Sequence, residues 1–260
     1  MSAAPSSAPI VRVEGLTAGY GSNLILREVS FAVNRGEVFM ILGGSGSGKS
    51  TLLKVMIGLN EPRAGHVFID GDDIVGAWGE ARAAILKKFG VMYQSGALFG
   101  SMTLLENVRL PLEEYTALPL PAMDLIARMK LELVGLETLC GHMPSEISGG
   151  QQKRAAIARA MALDPNILFL DEPSAGLDPI TSAELDALIR RLAGSLGVTF
   201  VIVSHELASI YAIADRVIML DRQAQGIIAE GDPRSLRDGS DNAQVRRFFR
   251  REVEPATEAA

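Results

Sequence analysis

Residues 43–50 read GGSGSGKS. This is the pattern G-x-x-x-x-G-K-[ST], in which the glycines let backbone N–H groups converge on phosphate oxygens at the start of a helix. The flanks agree with it. Residues 37–42 form a short apolar run of strand type. From Lys49 onward Leu52, Leu53, Met56 and Ile57 recur at helical spacing, with Gly58 near the end. Strand, glycine loop and helix in that order imply an α/β chain that takes a nucleoside triphosphate. Gly43, Gly44, Ser45, Gly46, Ser47 and Gly48 would form the cradle, Lys49 would neutralise β- and γ-phosphate charge, and Ser50, followed by Thr51, would hold Mg²⁺. A flexible Gly/Ser turn is the plain alternative, and the strand and helix on either side argue against it.

A second signal lies at residues 167–172, ILFLDE, where an apolar strand runs into two carboxylates. Open α/β sheets bind ligands at the carboxyl ends of their strands. Asp171 would support Mg²⁺ there, and Glu172 would act as general base on the attacking water. Taken alone, the same residues also describe a buried strand ending in a solvated acidic turn. Strand runs at 10–13, 30–33 and 38–42 are answered by others at 167–170, 199–203 and 217–220, with a helical stretch at 181–193. Alternating strands and helices predict a mostly parallel, buried sheet. Between the two halves, about residues 97–160, helical periodicity dominates with Pro111, Pro119, Pro121 and Pro144 as breakers, which reads as a helical insertion.

Composition removes several classes. A chain of 260 residues supplies core enough for one α/β domain. No apolar run approaches the roughly 18 residues that span a bilayer. The opening MSAAPSSAP has neither a basic start nor an apolar stretch, so residues 1–9 are expected to be a disordered tail and the chain to stay in the cytoplasm. Net charge is −6, which gives no field to draw in nucleic acid. The single cysteine, Cys140, has no partner for a disulfide or a zinc site and reads as an inert or weakly reactive thiol.

Residues 148–152, SGGQQ, preceded by Ile147 and followed by Lys153 and Arg154, resemble the signature motif of the ABC family, usually led by Leu. Read as residues, this is a Ser-Gly-Gly turn opening a helix, with Ser148 as a ready N-cap. The resemblance implies more. In ABC proteins Ser148, Gly149, Gly150 and Gln151 would cover the γ-phosphate of the opposing subunit, so that two ATP molecules are buried in a homodimer. Tyr20 resembles the aromatic that stacks on adenine, Gln94 the glutamine that senses Mg²⁺ and water, Asp178 the dimer-contact aspartate and His205 the γ-phosphate histidine. Each also has an ordinary use: a core ring, a loop residue, an N-cap before Pro179, a strand-end histidine. The implied fold is the P-loop NTPase of ABC type, a mostly parallel sheet core with an antiparallel β part and an inserted helical subdomain. The nucleotide-binding domain would span residues 10–236, with 237–260 as an extension.

Residues 94–103 (QSGALFGSMT), 178–189 (DPITSAELDALI) and 205–221 (HELASIYAIADRVIMLD) further resemble the ATPases of MCE-type lipid transporters. That resemblance implies an integral permease, an MCE-domain protein and a small STAS-type protein as partners, a peripheral place on the cytoplasmic face of the inner membrane, and phospholipid as cargo between inner and outer membranes. The same engine serving an amino acid or drug, and a soluble ABC protein of translation or repair, are the competing readings. At residues 242–253, Val245, Phe248, Phe249 and Val253 share a helical face while Arg246, Arg247, Arg250 and Arg251 cover the rest. Such a helix either clasps a partner, packs on its own subunit or docks on anionic lipid. The final EPATEAA is expected to be disordered.

Overall fold

The alternating and apolar runs become strands in the computed structural model, which describes residues 8–252. An antiparallel pair opens the chain, β1 (Val11–Tyr20) and β2 (Asn23–Val33), and β3 (Val38–Gly43) leads through the glycine loop into α1 (Lys49–Met56). Next come β4 (Ala64–Ile69), β5 (Asp72–Asp73), α2 (Gly79–Leu86) and β6 (Phe89–Met92). Three helices follow: α3 (Leu104–Tyr115), α4 (Leu120–Leu133) and α5 (Gly149–Ala160). Strands and helices then alternate through β7 (Ile167–Asp171), α6 (Pro179–Leu196), β8 (Thr199–Val203), α7 (Leu207–Ile213) and β9 (Arg216–Asp221). The described chain closes with β10 (Gly226–Gly231), α8 (Pro233–Gly239) and α9 (Ala243–Arg250).

One sheet has the order β10-β9-β3-β8-β7-β6 and the other β2-β1-β4-β5. In the larger sheet every pair is parallel except β9 with β10. The smaller sheet is antiparallel throughout. The predicted combination of a parallel core and an antiparallel part is therefore present. Period-two alternation sorts the side chains of the larger sheet between two cores. Met40 and Leu42 of β3, Leu168 and Leu170 of β7 and Phe200 of β8 join Leu104, Val108 and Leu131 of the helical segment. Phe39, Ile41, Ile167, Phe169 and Val201 point the other way, to Leu52 and Met56 of α1 and Val13 of the small sheet. Both faces are dry, which is why these strands read as continuous apolar runs. Each large side chain so buried contributes about 1.5–3 kcal/mol.

Not every expected breaker breaks. Pro111 lies inside α3, and Pro121 falls in the first turn of α4 with Pro119 as its N-cap, while Pro144 opens a single 3₁₀ turn. An interior proline costs a helix about 3 kcal/mol. In α3 that cost is offset by a capping box between Thr103 and Glu106 and by burial of Leu104, Val108 and Leu112. Four strands, β4, β5, β6 and β10, fall outside the runs singled out in the sequence. β6 has only four residues, β4 carries Gly65 and His66, and the side chains of β10 are largely half-buried.

The arginine-rich helix packs on its own chain. Val245 and Phe249 of α9 are buried, Tyr211 Oη donates to the Phe249 carbonyl at 3.0 Å, and Gln244 bonds Asp221. Val253, the EPATEAA end and most of the expected N-terminal tail lie outside the described residues. Phe249→Ala should therefore free α9 without unfolding the rest. Limited trypsin digestion should then cut first at Arg246–Arg251, while the melting temperature of the trimmed chain stays within about 3 °C of the parent.

Candidate functional site

Parallel strands β3, β7 and β8 end at one edge of the sheet, so the loops that follow them meet there. The loop after β3 is shaped by glycines that no other residue can replace. A Cβ on Gly43, at φ 147°, would lie 2.5 Å from the Leu220 carbonyl oxygen and from Ser47 Oγ. On Gly48, at φ 100°, it would strike Leu26 Cδ2 of β2 at 2.7 Å. Gly48 is the N-cap of α1 and carries no side chain to cap it. The first-turn N–H groups of α1 therefore lack a side-chain acceptor, the arrangement that receives an anion. Ser47 Oγ is buried without a hydrogen-bond partner inside the protein. Lys49 reaches back to donate to the Gly43 and Gly44 carbonyls at 2.8 and 3.1 Å. Burial holds its pKa below the usual lysine range against the opposing pull of Glu172 and Asp171. Ser50 is exposed beside it and Thr51 is buried on α1.

The carboxylates stand at the end of β7. Burial, and next the charge of Glu172, raise the pKa of Asp171, while Lys54, Lys49 and Lys153 pull the other way. Glu172 is only 9% exposed and adopts a left-handed backbone, φ 48°. Its N–H donates to the Val203 carbonyl of β8 at 2.9 Å, which pins the turn in place. One carboxylate oxygen, Oε1, lies 2.8 Å from His205 Nδ1, while Oε2 is buried with no partner. A buried carboxylate oxygen without a donor is costly unless something else meets it. The histidine itself is exposed. Glu172 and His205, read separately from the sequence, are thus in contact.

Gln94 follows β6, its side chain exposed and its carbonyl receiving Lys153 Nζ of α5. Lys153 is buried within the field of Asp171 and Glu172. Sequence reasoning gave it no role, because only the fold brings α5 beside β6 and β7. Ser148 and Gln151 close a capping box at the head of α5: Gln151 N donates to Ser148 Oγ at 3.2 Å and Ser148 N to Gln151 Oε1 at 2.9 Å. Among the described residues neither bonds to residues 43–51 of the same chain. Ser148 and Gly149 are exposed and Gly150 is buried. Tyr20 is 50% exposed, its hydroxyl receiving Asn60 Nδ2 at 3.0 Å. Asp178 caps α6, accepting from the Ile180 and Thr181 amides and the Thr181 hydroxyl. Those bonds hold its carboxyl below the usual range. The capping uses weighed for Ser148 and Asp178 are both present, on surfaces left open.

Asp171 yields a stability prediction. A carboxyl raised in the fold favours the folded state most when protonated, below its unfolded pKa, and loses that contribution as pH rises through its folded value. Asp171→Asn should therefore raise the melting temperature of the nucleotide-free chain at neutral pH, by about 2 °C or more. The gain should shrink as pH falls into the carboxyl range, which calorimetry from pH 8 to pH 4 would read.

Comparison with known proteins gives this edge a context. The family model described as ABC transporter matches residues 26–175, more than half of the chain. Over 245 residues the chain is 40% identical to the intermembrane phospholipid transport system ATP-binding protein MlaF of Escherichia coli (strain K12), covering 94% of this chain and 90% of that one. It is 41% identical over 239 residues to the probable ribonucleotide transport ATP-binding protein mkl of Mycobacterium leprae, covering 92% of this chain and 68% of that one. Among solved structures it resembles the ATP-binding cassette MJ0796 in a dimeric post-hydrolysis state bound to ADP and Pi, with TM-score 0.76 and 32% identity over 85% of this chain and 98% of that one. It also resembles CbiO1 of Clostridium perfringens, part of the ABC transporter complex CbiONQ, with TM-score 0.79 and 26% identity over 95% of this chain and 100% of that one. A glycine cradle opposite a half-bonded glutamate, in a chain that matches such cassettes along nearly its whole length, belongs to the ABC transporter family, as an ATPase cassette.

Proposed function

We propose that this ATPase powers a membrane lipid transporter of the kind its E. coli relative serves, working as a homodimer in which each copy closes the other's nucleotide site. The observation that carries the mechanism is the Glu172 carboxylate, one oxygen held by His205, the other buried and unpartnered, its charge felt by Lys49 after the glycine loop. That free oxygen suits a general base, and the histidine fixes its direction. Phosphoryl transfer asks mainly for positioning and charge stabilisation, and the chain supplies both. The N–H groups of residues 43–51 and Lys49 would take the triphosphate, and Tyr20 would stack on the base. Hard oxygen donors on Ser50, Asp171 and Gln94 fit Mg²⁺, which binds through few protein ligands and keeps its water and phosphate oxygens. When bound, Mg²⁺ would neutralise charge developing on the phosphates.

Closure requires a second copy. The Ser148 turn and the Asp178 cap are exposed and bond only locally, so their free faces are open to a partner chain. A lid of N–H groups from that chain would exclude water and strengthen the charge clamp.

Among the described residues no helix is long and apolar enough to cross a membrane, so attachment to the inner membrane would run through an integral permease. A groove of about 490 Å³ offers a seat, lined by Tyr93 and Phe99 of the segment after β6 and by Leu110, Pro111 and Tyr115 of α3. An MCE-domain protein and a STAS-type protein complete the assembly in this reading. The identity to a phospholipid-system ATPase along 94% of the chain supports lipid as cargo. The mycobacterial relative, at similar identity, keeps ribonucleotide transport as the second reading.

Glu172→Gln should bind ATP and form a stable ATP-dependent dimer on size-exclusion chromatography, while turnover falls by about 10²-fold or more. Turnover near the parental rate would remove Glu172 from the mechanism. For cargo, the complex purified from membranes should contain a permease with phospholipid and respond to added phospholipid with faster hydrolysis. Stimulation by ribonucleotide alone would favour the second reading.

A further inference from the structure

In the loop after β6, residues 94–97 are held through their main chain. Residues 94–97 lie along α5, where a Cβ on Gly96 would meet the Ala156 methyl at 3.4 Å. Two basic residues of that helix grip the main chain of the loop. Lys153 donates to the Gln94 carbonyl, and Arg159 donates to the Gly96 and Ala97 carbonyls at 2.9 and 2.7 Å. The gripped backbone is an unusual one: Gly96 and Ala97 are both left-handed, at φ 74° and 49°. A left-handed alanine persists only where its surroundings fix it. Lys153 is buried within the field of Asp171 and Glu172, so the loop is tied to the same charges that face the glycine cradle. Burying a lysine and half-burying an arginine is costly, and backbone carbonyls alone are a modest return for it.

We propose that Lys153 and Arg159 are positioning residues for ATP hydrolysis, fixing the main chain of residues 94–97 on α5 so that the Gln94 side chain stands at a set place relative to Asp171 and Glu172. This rests on the reading of Gln94 as a group that meets Mg²⁺ and water. Neither basic residue touches the nucleotide; both act through Gln94. Because α5 also carries Ser148 at its head, the lid offered to one site and the hold on the glutamine of the other come from one helix.

The test is a double-mutant cycle on the full-length chain. Gln94→Ala, Lys153→Met and Arg159→Met are measured singly, and Gln94→Ala is then combined with each. Lys153→Met and Arg159→Met should each lower kcat about tenfold or more and shift KM for MgATP less than about threefold, since misplacement by about 1 Å can cost 10²-fold. Lys153→Arg, which keeps the donor and charge, should recover most of the rate. In each double mutant the rate should lie within about twofold of Gln94→Ala alone, because a residue that acts only through Gln94 has nothing left to place. Losses that multiply in the doubles, or single variants with parental kcat, would overturn the proposal. Should Lys153→Met fail to fold, Arg159→Lys, which keeps charge but loses the two-pronged hold, carries the same cycle. A Gln94→Ala chain with parental kcat would instead end the Gln94 reading. If Lys153→Met were still slow in that case, the lysine would be acting on the carboxylates directly, and the positioning proposal would fall as well.

Discussion

A parallel strand covered on both faces can expose polar groups only at its ends. β3, β7 and β8 obey that constraint: Phe39, Ile41, Phe169 and Val201 are sealed against α1 and the small sheet, and Met40, Leu42, Leu170 and Phe200 against the helices. Everything with chemistry is thereby pushed to the carboxyl edge. Gly43, Asp171 and His205 sit together because each stands at the carboxyl end of its strand or in the turn beyond it. The division between a packed body and a reactive rim comes from the hydrophobic pattern, before any functional residue is chosen.

At that rim charge is balanced rather than maximised. Burial raises the pKa of Asp171, and repulsion from the neighbouring Glu172 raises it further. Lys49 and Lys153 approach from α1 and α5, each depressed by its own burial and sustained by those same carboxylates. None of the four would be cheap to bury alone. Together they form a preorganised field, which is worth most where water is scarce.

What could be read from the letters was what local geometry dictates. GGSGSGKS needs only its own glycines and the helix after it, and Ser148 announces its turn through the residue three places on, Gln151. The strand ending in Asp171 and Glu172 was legible for the same reason. The contact of Glu172 with His205 was not, because the two are 33 positions apart in the chain and only the β7–β8 pairing closes that distance. Lys153 stayed hidden too, since its partner Gln94 is 59 residues away. Pro111 misled because a local rule met a stronger tertiary demand, the burial of Leu104, Val108 and Leu112 in the same helix. For α9 the amphipathic pattern was plain but its destination was not: an apolar face states that it will be covered and is silent on by whom.

The phosphate loop has a back as well as a front. Gly48 is backed by Leu26 of β2, a strand of the small sheet, while Ile25 of the same strand lines the hollow over residues 46–51. The side chains of β2 therefore limit where the first turn of α1 can lie, and with it the row of amides that faces the anion. The antiparallel sheet, far from being an ornament on the cassette, is the anvil against which its grip is set.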